Sequence, residues 1–133
     1  MGIATRISLG LPDGNIEVNQ KNIQKVMQII RFYKPDVLLF PHWLERHPDH
    51  EHAHHLCREA WFYSGLEKIR TKMNGKIQEP HRPKKYFHFM QKYEFTPSFI
   101  VDVSSSYEKK KQSLGPGPKI KNNFFILTGV SCN

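Results

Sequence analysis

Acidic side chains are scarce in this sequence. Twelve Asp and Glu stand against 20 Lys and Arg, for a formal charge of +8 and a pI near 9.6. That excess suits a phosphate-bearing substrate, nucleic acid or plain solubility, and does not choose among them. Specific nucleic-acid modules show a recognisable motif; none is visible, so no nucleic-acid partner is expected. Cysteine is scarcer still. Cys57 and Cys132 lie far apart in unlike contexts, which gives no disulfide framework and makes a reducing cytoplasm the default compartment. Long apolar runs are missing, so no membrane span or membrane partner is expected. The opening Met1-Gly2-Ile3-Ala4-Thr5-Arg6 lacks a secretory apolar core and puts Arg6 where a myristoylation signal needs Ser or Thr. No internal repeat appears. At 133 residues, 38% hydrophobic and 12% aromatic, the chain has material for one modest core, a domain or part of one.

Taken in order, Ile7-Ser8-Leu9 has the composition of a short strand, and Leu11-Pro12-Asp13-Gly14 that of a turn. Asn19 suits the N-cap of a helix to about Tyr33, with Ile23, Val26, Met27, Ile30 and Tyr33 at helical spacing. Lys34-Pro35 ends it, because the residue before proline is pushed out of the helical region. Residues 36–40 form a continuous apolar run, the pattern of a parallel strand covered on both faces. A second helix is predicted from Pro48 or Asp49, with Ala53, Leu56, Cys57, Ala60 and Trp61 as its apolar stripe and Ser64-Gly65 as its end. Residues 68–84 read as a loop, residues 86–90 and 99–103 as two strands, and Ser105-Ser106-Tyr107-Glu108 as a capping box opening a third helix. Gly115-Pro116-Gly117-Pro118 then breaks the pattern. The order helix, buried strand, loop, helix is half of a doubly wound α/β layout.

Six of the eight histidines fall between Pro41 and His55, after the apolar strand and into the next helix. Imidazoles and carboxylates at the end of a buried strand are where such a fold places a metal or a polar substrate. In that loop His47, Asp49 and His50 are near enough for one to bind metal while another supports chemistry. His50 and His54 share a helix face if the helix has begun. Arg46 offers a permanent positive fork for a carboxylate or phosphate. Each feature also has a plainer role. His52, His54 and His55 read as solvated helix surface, His42 as the strand's end, Asp49 as a helix-start residue, and Arg46 as a surface charge. Cys57 reads as small core filling and the run at Lys109 as a solvated face. No second His/Asp/Glu cluster of comparable quality completes a metal site.

The run Arg46-His47-Pro48-Asp49-His50-Glu51-His52, preceded by Lys34-Pro35-Asp36-Val37, resembles the second motif of the LmbE-like (PIG-L) zinc N-deacetylases. Leu11-Pro12-Asp13-Gly14, Glu79-Pro80-His81-Arg82-Pro83 and the stretch from Phe95 through Asp102-Val103 resemble the branch acting in bacillithiol biosynthesis, which removes acetate from N-acetylglucosaminyl-malate. The resemblance covers residues 6–114 and implies a partial Rossmann-like, mostly parallel sheet with flanking helices, its first βα unit missing. It implies a small amino-sugar conjugate as substrate and zinc as cofactor, and it is compatible with a homo-oligomer. It implies His50 as zinc ligand, His47 as the group that polarises or protonates the tetrahedral oxyanion, and Asp49 as its orienting partner. Arg46, His81 and Arg82 would contact substrate. The family's first motif, His-Pro-Asp-Asp, which supplies the remaining zinc ligands and the general base, is absent, so the full ligand set is not present. Residues 115–133 do not resemble the family and are expected to be a poorly ordered tail. The expectation is therefore a zinc-dependent hydrolase encoded incompletely and inactive or nearly so on its own; the alternative is a non-catalytic metal-binding or interaction fragment.

Overall fold

The computed structural model describes residues 5–114; the tail reading for residues 115–133 lies outside them. Helix α1 spans Gln20–Tyr33, and the Asn19 side chain accepts a hydrogen bond from the Asn22 N–H, as its position before the apolar stripe predicts. The helix stops at Lys34, which takes the left-handed conformation (φ 47°) while its N–H still donates to the Ile30 carbonyl. Strand β1, Val37–Pro41, follows, and helix α2 runs Pro48–Ser64. Two short strands, β2 (Lys72–Met73) and β3 (Lys76–Ile77), come next, then β4, Lys85–Phe89. A 3-10 turn at Ser104–Ser106 leads into α3, Tyr107–Leu114.

β1 and β4 pair in parallel, Val37 opposite Lys85 through Pro41 opposite Phe89. The chain from β1 through α2 to β4 is thus a βαβ unit, and the parallel sheet with flanking helices agrees with the α/β reading. The core joins three elements: Ile23, Val26, Met27 and Ile30 of α1, Leu38 and Phe40 of β1, and Leu56, Cys57 and Ala60 of α2. Phe40 stacks on Tyr86 at 5.2 Å, and the Trp61 indole N–H donates to the Pro83 carbonyl at 2.9 Å. This packing fixes the carboxyl end of β1 beside the N-terminus of α2.

Four local expectations change. Ile7-Ser8-Leu9 is not a strand; the segment runs irregularly, with Leu9 and Leu11 packed against the core. Residues 68–84 are not all loop, because Asn74 (φ 52°) and Gly75 (φ 77°) close the β2–β3 hairpin. Asn-Gly is the favoured pair for such a turn, but two-residue strands carry no alternation to announce it. Residues 99–103 are not a strand. Their composition favours one, yet no ladder partner exists among the described residues, and Ile100 is 85% exposed. The turn before α3 is held by Asp102, whose carboxylate accepts from the Ser104 N–H and hydroxyl, not by a box at Ser105.

Candidate functional site

The site grows from the way α2 begins. Pro48 occupies the first turn, where its missing N–H costs nothing. His47 is the N-cap residue, in extended conformation, and its Nδ1 accepts a hydrogen bond from the Asp49 N–H at 3.2 Å. In the neutral ring the proton is then on Nε2. One turn along, His50 faces the same way, with ring centroids 5.3 Å apart. His50 Nδ1 is buried and has no hydrogen-bond partner among the described residues.

A cavity of about 210 Å³ opens here. Residues 8–12 and Ile16 form one wall; Pro41, Ala53 and Phe89 form apolar parts of the rest; His47, Asp49, His50 and Gln91 supply polar groups. It lies where β1 and β4 end and α2 starts, the usual position for a ligand crevice in a parallel α/β sheet.

The fold therefore brings His47, Asp49 and His50 together. Asp49 is buried, and its carboxylate accepts from the N–H of Gly14 at 2.7 Å and of Ile16 at 3.0 Å. The hydrogen bond that joins Asp49 to His47 runs through the Asp49 backbone, not its carboxylate. Arg46 is exposed on the same loop and does not line the cavity.

His81 and Arg82, expected as substrate contacts, lie elsewhere and do not line this cavity. His81 Nε2 is 2.8 Å from the Pro35 carbonyl oxygen, before β1 begins, and its backbone N–H donates to the Ser64 carbonyl. Arg82 donates to the Phe62 carbonyl and lies over the Phe62 ring, 4.6 Å from its centroid. Both sit at the far end of α2, a helix of 17 residues and thus roughly 25 Å long.

The donors present decide whether zinc fits. No group of three His, Cys, Asp or Glu side chains that could hold a metal occurs among the described residues. The Asp49 carboxylate already accepts two amide hydrogen bonds and His47 Nδ1 accepts one, while His50 Nδ1 is the cavity-lining nitrogen without a partner among the described residues. The described residues do not fit a zinc ion on their own.

One neighbouring histidine departs from its sequence reading, and a second keeps its place at the strand's end but is buried. His54, read as solvated surface, is 5% exposed and its Nδ1 lies 3.0 Å from the Pro41 carbonyl oxygen. Its place between Ala53 and Cys57 on the buried stripe was the available signal. His42, read as the strand's end, is buried with Nε2 3.0 Å from Glu45 Oε1. Desolvation lowers the His54 pKa from its ordinary 6.5 to about 4, against the opposing hydrogen bond to Pro41. His88, 3.2 Å from the same carbonyl oxygen, is lowered too, again chiefly by burial. The folded state thus prefers neutral His54. The stability this gives is present above pH 6.5 and is lost as pH falls towards 4, at a cost on the order of 2–3 kcal/mol. Urea unfolding at pH 7 and 4.5 is expected to show that loss, and His54→Gln, which can still donate to Pro41, is expected to flatten it. An unchanged pH slope in the variant would refute the assignment.

The chain is similar to known proteins over most of its length. Residues 1–61 match the family model PIG-L, described as GlcNAc-PI de-N-acetylase. Diacetylchitobiose deacetylase of Thermococcus kodakarensis is 26% identical over 117 residues, 86% of this chain and 43% of that protein. The crystal structure of the conserved protein TT1542 from Thermus thermophilus superposes with a TM-score of 0.77 at 30% identity, over 85% of this chain and 49% of that one. The chain spans about half the length of these relatives, or slightly less.

Proposed function

We propose that this chain carries the imidazole side of the active site of a PIG-L-type de-N-acetylase, a hydrolase that removes acetate from an N-acetylglucosaminyl conjugate. The family-model match and the similarity to a deacetylase support the reaction class. The single observation that carries the reading is structural: His47 and His50 of the one matched loop meet at a cavity at the carboxyl end of a parallel sheet. The proposed substrate is the N-acetylglucosaminyl-malate type, on the motif resemblance.

In amide hydrolysis, water adds to the acetyl carbon, the C–N bond breaks, the amine gains a proton and acetate departs. His47 suits the oxyanion side of that sequence. Its Nδ1 is held by the Asp49 N–H, so the neutral ring presents Nε2–H as a hydrogen-bond donor to the developing oxyanion. The apolar wall from Leu9, Leu11 and Ile16 would shed water around the acetyl group. Zinc belongs to the proposal as the metal the resemblance implies, with His50 as the donor this chain offers; the described residues give no basis for a step through it.

Titrating the chain with N-acetylglucosaminyl-malate, with zinc present, tests the reading. NMR shift changes are expected at His47, His50 and Gln91, while acetate release by the chain alone stays at trace level for want of a complete donor set. Shift changes centred on His81 and Arg82, or none at millimolar ligand, would sink it. Turnover typical of an intact deacetylase would overturn the account of the donors.

A further inference from the structure

We propose that Asp49 is a positioning residue: its carboxylate latches the 13–16 turn onto the first turn of α2 and so sets the width of the cavity. The inference rests on the cavity being the substrate site, as proposed above, but the latch itself is independent of that.

Three observations carry it. Both carboxylate oxygens are spent on main-chain amides across 33 and 35 residues of sequence, Ile16 on Oδ1 and Gly14 on Oδ2. Asp49 is 6% exposed, so these bonds are shielded from water, where a charge-assisted hydrogen bond is strong. The turn is shaped for the carboxylate: Gly14 holds φ at 75°, a conformation side-chain-bearing residues rarely adopt. No strand pairing fixes residues 8–16, which are irregular throughout. Within the cavity rim, then, the residue that joins the irregular wall to the helix carrying His47 and His50 is Asp49.

The consequence is chemical as well as mechanical. Asp49 is the one carboxylate lining the cavity among the described residues, and it is already engaged. It acts on His47 through its backbone N–H, and on a bound acyl sugar through the wall it holds in place.

The test compares Asp49→Ala and Asp49→Asn in the full chain by amide hydrogen exchange. In Asp49→Ala, exchange at Gly14 and Ile16 is expected to rise by about tenfold or more, with the Ile30 and Leu56 amides unchanged. Asparagine keeps one acceptor oxygen, so Asp49→Asn is expected to retain protection at one of the two amides. Binding of N-acetylglucosamine as a probe, followed by shift changes at Gln91, is expected to weaken in Asp49→Ala and to recover partly in Asp49→Asn. Unchanged exchange at Gly14 and Ile16, or equal acceleration at Ile30 and Leu56, would overturn the latch. If the wild-type chain shows no response to the sugar, the functional reading fails while the exchange data still decide the latch.

Discussion

Arg31→Met is expected to destabilise the chain by about 2–4 kcal/mol, from two acceptors left unpaired at roughly 1–3 kcal/mol each. Arg31 is 3% exposed on α1 and has no carboxylate partner in the contacts that hold it. Instead its fork reads the end of α2. Nε donates to the Ser64 carbonyl at 2.9 Å, Nη1 to the Ile69 carbonyl and the Thr71 hydroxyl, and Nη2 to the Leu66 carbonyl at 2.8 Å. Carbonyls at a helix C-terminus carry the negative end of its dipole, so the guanidinium caps α2 from outside. Burial lowers its pKa, yet a guanidinium keeps its proton at any ordinary pH. Methionine fills much of the space but takes the donor from the Ile69 carbonyl and the buried Thr71 hydroxyl, and leaves the Ser64 carbonyl with the His81 N–H alone. Arg31→Lys is expected to recover little, because one ammonium cannot span acceptors that far apart. Urea denaturation midpoints decide it; a loss below about 1 kcal/mol for Arg31→Met would show that water replaces the arginine.

The same residue shows how far the sequence could be read. The stripe Ile23, Val26, Met27, Ile30 locates the buried face of α1, and Asn19 and Lys34-Pro35 its ends, because those signals are local. Position 31 lies one turn from Met27, on that same face, yet arginine normally reads as surface. Its burial depends on where α2 ends, which is a tertiary fact. The histidine loop follows the same division. His47, Asp49 and His50 are legible because strand end, Pro48 and helix start fix them within a few residues of one another. Residues 81–82 could be matched by motif but not located, since nothing local says that the chain passes the far end of α2 before β4. What Asp49 binds was illegible for a similar reason: Gly14 and Ile16 are 35 and 33 residues away.

Glu45→Ala is the counterpart on the anionic side, expected to destabilise by about 1–3 kcal/mol, the cost of leaving buried His42 without its partner, and to loosen the cavity's outer rim. Glu45 is 4% exposed in the loop before α2. Its carboxylate accepts from the N–H groups of Gln91, Lys92 and Arg46, and lies 3.0 Å from His42 Nε2. Desolvation alone would raise its pKa; the three backbone hydrogen bonds and His42 together outweigh that and lower it below the ordinary 4.5. Its stabilising effect is therefore present above pH 4.5 and lost as pH falls through the depressed value. Removing the carboxylate takes the acceptor from two amides at the exposed residues 91–92, just past β4, and leaves His42 buried beside an empty space. Gln91 lines the cavity, so the rim should move even if the core holds. Glu45→Gln is the sharper test, because it keeps the shape and one acceptor but not the charge. If the carboxylate organises the segment, exchange at Gln91 and Lys92 rises in Glu45→Ala and less in Glu45→Gln, with Leu38 unaffected. If both variants leave those amides protected, the rim is held by the Phe95 ring against His42 and Trp43, and the charge is incidental.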